Sequence, residues 1–354
     1  MYAKSCTQTL YMRILCRLAG ARVESSVRAI MKFHCGWRAL HFLAVLALGM
    51  GLVNSAGAQM QSLTIMAPAA PGGGWDQTSR AMQQVMRRAR LVRSVQVLNV
   101  PGAGGTIGLA RLVNTNQGDG NLLMTTGLIM VGAVLTNKSP VTLQQATLIA
   151  RLTGEYEVLV VPAASPHRTL AGFIQAWKAN PGQFAIAGGS AGGTDHMLAG
   201  LLAKEVGIDV NKVNYIPHSG GGESIASLLG NHVAAGINGY AELNSFIQTG
   251  KMRALAISSE QRLPGLDIPT FLEQGIDLSL ANWRGVAAAP GISSQQRTAL
   301  ITLIDRMRQS DEWKAVLKRN SWIDMYLPGP EFDAFLTQEN VRVTGVLKSI
   351  GLIE

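Results

Sequence analysis

The chain has 354 residues, is 47% hydrophobic and carries a formal net charge of +9. Residues 1–58 hold seven of the 31 Lys and Arg (Lys4, Arg13, Arg17, Arg22, Arg28, Lys32, Arg38) and one of the 22 acids, Glu24, so the remainder carries only +3. They also hold all three cysteines, Cys6, Cys16 and Cys35, which excludes disulfides, zinc–thiolate sites and a cysteine nucleophile beyond residue 58, while no dense Lys/Arg face remains for nucleic acid.

An apolar run over residues 42–53 follows Lys32 and Arg38, and Ala56-Gly57-Ala58 supplies an Ala-x-Ala pattern. This is the layout of a secretory signal peptide cleaved after Ala58. The run is too short to span a bilayer comfortably. Met31 begins a signal of ordinary length, so residues 1–30 read as an upstream false start. No small-small-Cys pattern marks a lipid anchor. The remaining residues, about 300, suffice to bury a core and favour two lobes over one.

The first strand beyond the leader is 63–67, and it runs into Pro68-Ala69-Ala70-Pro71-Gly72-Gly73-Gly74. A helix follows over 75–91, with Ala81, Met82, Val85, Met86 and Ala89 as its apolar face. Strand 95–100 leads into Pro101-Gly102-Ala103-Gly104-Gly105 and helix 106–113. Strands are expected at 122–126, 147–152 and 158–162, the last ended by Pro162, and then helix 170–178. The rhythm repeats with strands at 184–187, 213–216, 232–238 and 253–257 and helices at 197–206, 224–229 and 240–248. Residues 286–290 resemble 158–162 as a strand broken by proline. The tail reads as helices 294–309, 311–318 and 331–349, with Trp313 and Trp322 packing it down. Such alternation predicts an α/β fold of βαβ units with mostly parallel sheet. The simplest topology is two lobes, 59–158 with 283–354 and 159–282, joined by two crossing strands.

Four of the strands run into Gly/Ser/Thr loops and then into helices: after 63–67, 95–100, 184–187 and 213–216. Backbone N–H groups at a strand–turn–helix junction make an anion site. In open α/β sheets ligands bind at the carboxyl ends of the strands. Several such loops converging would build a cleft lined by backbone donors.

Other motifs are weaker. Gly188-Gly189-Ser190-Ala191-Gly192 fits the G-x-S-x-G nucleophile elbow, which would make Ser190 the nucleophile of a secreted hydrolase. The only later histidines are His196, His218 and His232, which cramps a triad. Gly102-x-Gly104-x-x-Ile107 lacks the third glycine of a dinucleotide fingerprint. His167, His196, His218 and His232 are scattered, with no metal-ligand spacing. Arg151 and Glu155-Tyr156-Glu157, near a lobe crossing, read as solvated or mutually paired charges.

From Ile65 to its end the chain closely resembles the substrate-binding proteins of tripartite tricarboxylate transporters, which include the Bordetella uptake proteins. The pieces that carry the resemblance are residues 67–78, 99–105, Gly118-Asp119-Gly120 and residues 215–223. Gly72-Gly73-Gly74-Trp75-Asp76 with Ser219-Gly220-Gly221-Gly222-Glu223 is similar to the tricarboxylate branch. Where many members show Tyr-Lys-Gly-Gly and a proline, this chain has His218-Ser219-Gly220-Gly221 and Glu223. The resemblance implies a two-lobed periplasmic binding protein of the type II, Venus-flytrap kind with a helical C-terminal tail. Such a protein is a monomer without cofactor or catalysis. It captures a carboxylate, citrate or another di- or tricarboxylate, and hands it to a membrane pair of small and large subunits. The implied ligand contacts are Gly73, Gly74 and Asp76; Ser190, Gly193, Thr194 and His196; and Ser219, Gly220 and Gly221. Asp76 is expected to cap its helix or orient a water, because two carboxylates repel. Tyr240 is a further candidate wall. A ligand sensor with a membrane signalling partner is the remaining alternative.

Overall fold

The computed structural model describes residues 60–354; the leader expected over residues 1–58, with its cleavage after Ala58, lies outside the described residues. Strand β1 (Met60–Ala67) buries Leu63, Ile65 and Met66 and pairs in parallel with β2 (Val92–Asn99) and β3 (Leu122–Gly127). Helix α1 (Gly74–Arg88) joins β1 to β2. Its Ala81, Met82, Val85 and Met86 recur at helical spacing, share one face and are buried. Asp76 in its first turn and Arg87 and Arg88 in its last suit the helix dipole. Helix α2 (Thr106–Thr115) returns the chain to β3. Helix α3 (Leu128–Thr136) follows β3 at once and was not expected. It is apolar on nearly every side, so it offers no 3.6-residue alternation to read.

Strand β4 (Thr147–Pro162) corrects the sequence reading. Two strands were expected, 147–152 and 158–162; the structure has one of 16 residues. Thr153, Gly154 and Glu155 do not interrupt it because partners hold both of its edges. Strands β9 (Ala281–Ala288) and β10 (Ile323–Pro328) flank its first part. Strands β7 (Ala235–Gly239) and β8 (Met252–Ile257) flank its last part. Pairing with β9 ends at Tyr156↔Ala281, and pairing with β7 begins at Glu157↔Gly239. Two wings of sheet therefore share β4. All four of its pairings are antiparallel, as is β3 with β9. Parallel pairing is confined to the outer strands, β2-β1-β3 in one wing and β6 (Tyr215–Pro217), β5 (Ile186–Gly188) and β7 in the other. The overall order is β2-β1-β3-β9-β4-β7-β5-β6.

Helix α4 (Leu170–Ala179) precedes β5; α5 (Thr194–Glu205), α6 (Gly221–Leu229) and α7 (Tyr240–Gln248) follow β5, β6 and β7. Helices α5 and α6 start three residues earlier than expected, since their opening Gly, Thr, Asp and Glu residues carry no apolar period. Strand β9 starts five residues before the expected 286, and β10 was not expected.

The tail is helical, as expected: α8 (Ser294–Gln309), α9 (Asp311–Asn320) and α10 (Gly329–Ser349). Ser293 and Gln296 form a capping box at α8, and Ser310 caps α9. Trp313 and Trp322 are buried, with ring centroids 6.4 Å apart. Helix α10 packs on β4, α3 and α5, and so touches both wings. Its Phe332 and Phe335 meet Trp283 of β9 edge-on at 5.7 and 5.3 Å, and Trp283 Nε1 donates to Glu339 Oε1 at 2.8 Å.

These contacts make α10 a clamp on the sheet. Phe332→Ala, at a fully buried position, is expected to lower unfolding free energy by about 3–5 kcal/mol. Val341→Ala, on the exposed side of the same helix, should stay within about 0.5 kcal/mol of the parent. Urea unfolding followed by circular dichroism measures both.

Candidate ligand-binding site

Three of the glycine loops meet at one small hollow of about 40 Å³. The first leaves β1. Gly72 takes φ +87°, which lets the chain turn into α1 with the Gly73 and Gly74 amides leading. The second leaves β5 and brings Gly189 and Ser190 to the hollow. The third leaves β6 with Ser219, Gly220 and Gly221, at the start of α6. Of the expected contacts, Gly73, Gly74, Ser190, Ser219, Gly220 and Gly221 line this hollow.

Five other expected residues are not among the lining, and each has a different employment. Asp76 locks the first loop: its Oδ2 accepts the Gly72 N–H and Arg80 Nε, both at 2.9 Å, and its Oδ1 accepts Asn99 Nδ2 at 2.8 Å. Burial pushes its pKa up, but the bonds from Arg80, Gly72 and Asn99 outweigh this and hold it below the usual value. Gly193 gives its N–H to Ser190 O at 2.9 Å. Thr194 is fully buried, and its Oγ1 has no hydrogen-bond partner. His196 lies face to face with Tyr215, centroids 4.1 Å apart, and its Nδ1 accepts the Gly192 N–H. Burial depresses the imidazole to about 4, so it is neutral at pH 7. Tyr240 packs with Val158 and Leu243, and its hydroxyl donates to Asn244 Oδ1 at 2.8 Å.

The loop after β2 packs rather than lines. A Cβ on Gly105 would meet the Trp75 ring, and Ala103 and Gly104 border a neighbouring recess of about 270 Å³. Ser190 and Ser219 belong to both spaces. A wider groove of about 780 Å³ runs beside Arg80, Arg87, Arg88 and Arg319, and none of the glycine loops reaches it.

A triad around Ser190 is not built. His218 commits its ring nitrogens to Gly188 O at 3.1 Å and Ser227 Oγ at 2.9 Å. His196 turns Nδ1 to Gly192 and its face to Tyr215.

The sequence matches the profile of the tripartite tricarboxylate transporter family receptor over residues 78–352. The chain belongs to that family. Protein BugT of Bordetella pertussis is 27% identical over 294 residues, covering 82% of this chain and 89% of the relative. The solved structure of the periplasmic binding protein BugD superposes with a TM-score of 0.76 at 21% identity, over 83% of this chain and 98% of that one. MatC of Rhodopseudomonas palustris, solved with bound malate, gives 0.71 at 21% identity, over 81% and 99%. The fold of this tricarboxylate-transporter receptor is therefore the two-lobed α/β fold of periplasmic binding proteins. Among the described residues no helix is long and apolar enough to cross a membrane.

What sequence reading of this receptor missed are the charges at the hollow: Asp195, Glu242 and Arg284. Asp195 is the second residue of α5 and accepts the Gly189 N–H at 2.6 Å. Glu242 is the third residue of α7. Arg284 lies on β9, with Nη2 in a buried ion pair with Glu155. Behind them Glu157 of β4 is fully buried and accepts Asn282 Nδ2 at 2.9 Å. Glu155 and Glu157, read from sequence as solvated or paired, are thus buried, and only Glu155 is ion-paired. The signal for Asp195 and Glu242 was available, since acids belong in first helical turns. None existed for Arg284, a lone cation inside an apolar strand.

Burial raises all three unpaired acids. Glu157 is held well above its usual range by burial and by the Asp195 and Glu242 carboxyls. Asp195 is raised to about 6 by burial, with the Gly189 amide pulling the other way. Glu242 is raised to about 8 by burial and by Asp195. As a residue Glu242 is only partly buried, but its Oε1 is cut off from solvent. The folded state therefore holds protons that the unfolded chain has released, and stability falls as pH rises from about 4.5 toward 8. Glu242→Gln is expected to gain stability relative to the parent over that window, reaching its largest advantage above pH 8. Urea unfolding of both proteins at pH 5, 6.5 and 8.5 measures this; a difference that is flat with pH contradicts it.

Proposed function

We propose that this receptor captures a small carboxylate in the periplasm, closes two lobes on it, and delivers it unchanged to the paired membrane subunits of a tripartite tricarboxylate transporter. Citrate and other di- and tricarboxylates are the class to test first. The observation that carries this reading is the convergence of Gly73, Gly74, Ser190, Ser219, Gly220 and Gly221 on one hollow at two helix starts. Amide and hydroxyl donors there suit a carboxylate. The malate bound to MatC, a protein of the same fold, supports the ligand class.

The lobes are taken as residues 59–158 with 283–354 and residues 159–282. Their hinge lies near Tyr156 and Glu157, where β4 changes partners. The hollow of about 40 Å³ holds only a few waters, at roughly 10–15 Å³ each, so a ligand enters an opened form. The leader at residues 1–58 exports the chain. The partner subunits and the monomeric state belong to the same reading.

Thermal unfolding of the purified receptor against a panel of di- and tricarboxylates tests the capture step. A ligand at 100-fold its Kd adds about 2.7 kcal/mol and raises the Tm by several degrees. Failure of every carboxylate to raise it overturns the reading. Ser190 is expected to remain unlabelled by a fluorophosphonate probe; labelling that Ser190→Ala abolishes would favour a hydrolase instead.

A further inference from the structure

The groove of about 780 Å³ beside α1 shares no lining residue with the hollow. It lies where α9 packs on α1. Gln77, Arg80, Gln84 and Arg87 recur at three- and four-residue spacing along α1, so they form one stripe, with Arg88 beside it. Arg319, in the last turn of α9, also lines the groove. Four guanidiniums thus border one space in a chain whose net charge beyond residue 58 is only +3.

Among the described residues no acid lines this groove. Arg80 is partly committed inside the protein, with Nε on Asp76 Oδ2 at 2.9 Å and Nη2 on Asn99 Oδ1 at 3.2 Å. Arg87, Arg88 and Arg319 are exposed and form no ion pair with any described residue. Elsewhere on the surface basic groups are answered: Arg262 by Asp267 and Glu273, Arg297 by Asp333, Lys314 by Asp311. A last-turn position suits Arg87, Arg88 and Arg319 through the helix dipole. The dipole does not require all three to border one space, nor acids to be missing from it.

The chemistry of the lining selects the occupant. Guanidiniums fork onto carboxylates, and the carboxamides of Gln84 and Asn320 can both donate to and accept from peptide groups. Arg80 and Arg87 stand two turns apart, about 10 Å along the axis at 1.5 Å per residue. Extended chain covers that distance in about three residues. A lipid surface suits the groove less well. Helices that lie on membranes set apolar side chains beside basic ones. Here Met82, Val85 and Met86 of α1 are buried in the core, and none of the large exposed apolar residues lines the groove.

We propose that this groove is a docking surface for an extended acidic segment of a protein partner, held by Arg87, Arg88 and Arg319, with Arg80 at the other end of the stripe. The inference deepens the proposed function, under which that segment belongs to the membrane subunits.

Selection of a phage-displayed library of twelve-residue peptides on the purified receptor, with counter-selection on the combined Arg87→Glu, Arg88→Glu and Arg319→Glu variant, tests this. Enriched peptides should carry Asp or Glu about three residues apart. One of them, fluorescently labelled, should bind the receptor at least tenfold tighter than the triple variant by anisotropy in 150 mM salt, and more weakly as salt rises. Replacing its acids by Asn and Gln should cost at least tenfold. A thermal melt confirms that the triple variant folds. Enriched peptides without acids, an acidic peptide that binds the triple variant equally, or no enrichment overturns the inference. Arginine-dependent binding of phosphatidylglycerol vesicles or of tripolyphosphate, with no acidic peptide selected, also overturns it and assigns the groove to a lipid surface or a small polyanion. None of these results touches carboxylate capture. Conversely, a receptor that selects acidic peptides but gains no Tm from any carboxylate keeps this docking surface and loses the transport reading.

Discussion

The buried ion pair between Arg284 and Glu155 constrains everything around it. The two residues stand on adjacent strands, β9 and β4, and are 2% and 1% exposed. Trp322 adds an indole N–H to Glu155 Oε2 at 3.0 Å and lays its ring 5.4 Å from the guanidinium carbon. Ions in such a place are tolerated only when paired, and removing one partner typically costs about 3–5 kcal/mol. The pair also dictates which neighbours can exist. A Cβ on Gly74 would overlap the guanidinium, and one on Gly239 would overlap the Glu155 carboxyl. Both positions open a helix, Gly74 as the first residue of α1 and Gly239 as the cap of α7. These glycines are thus required by packing against buried charge, with neither residue at positive φ. The lack of a side chain at the start of α1 follows from the same requirement.

The second constraint is the continuity of β4. Its sixteen residues take antiparallel partners on both edges and change them between Tyr156 and Glu157. Glu155 and Glu157 sit on either side of that change, one paired with Arg284 and the other bound by Asn282. Two of the buried acids behind the hollow therefore ride on the strand that the two wings share. Helix α10 stiffens the same region through Trp283, Phe332, Phe335 and Glu339.

Those features divide what the sequence could reveal from what it could not. Glycine loops are local signals: Gly72-Gly73-Gly74 and Ser219-Gly220-Gly221 need no tertiary knowledge to mark strand–helix turns, and both reach the hollow. Helices with a polar face, such as α1 and α8, were legible from periodicity. Helix α3 was not, because an all-buried helix has no period to find. The merged β4 and the early part of β9 were illegible for a different reason. Thr153-Gly154-Glu155 and Asn282-Trp283-Arg284 break an apolar run, and only their partners across the sheet show that the polar groups are satisfied inside it. His196 and Thr194, ligand contacts implied by the family resemblance, lie in this structure against the protein itself, His196 stacked on Tyr215 and Thr194 fully buried.

Rim and floor of the hollow differ in kind. At the rim, the glycine loops and the Ser190 and Ser219 hydroxyls are polar without fixed charge, so exposing them to water is inexpensive. At the floor, charges lie where the effective dielectric is low, and two unit charges about 4 Å apart interact by roughly 4 kcal/mol at an effective dielectric of 20. A permanently ionised Glu242 beside Asp195 and Glu157 would make the ligand-free state strained. A proton held on Glu242 removes that repulsion. Burial and the Asp195 carboxyl raise Glu242 to about 8, so near pH 7 it keeps its proton and the floor carries less charge than its carboxyls alone would give it.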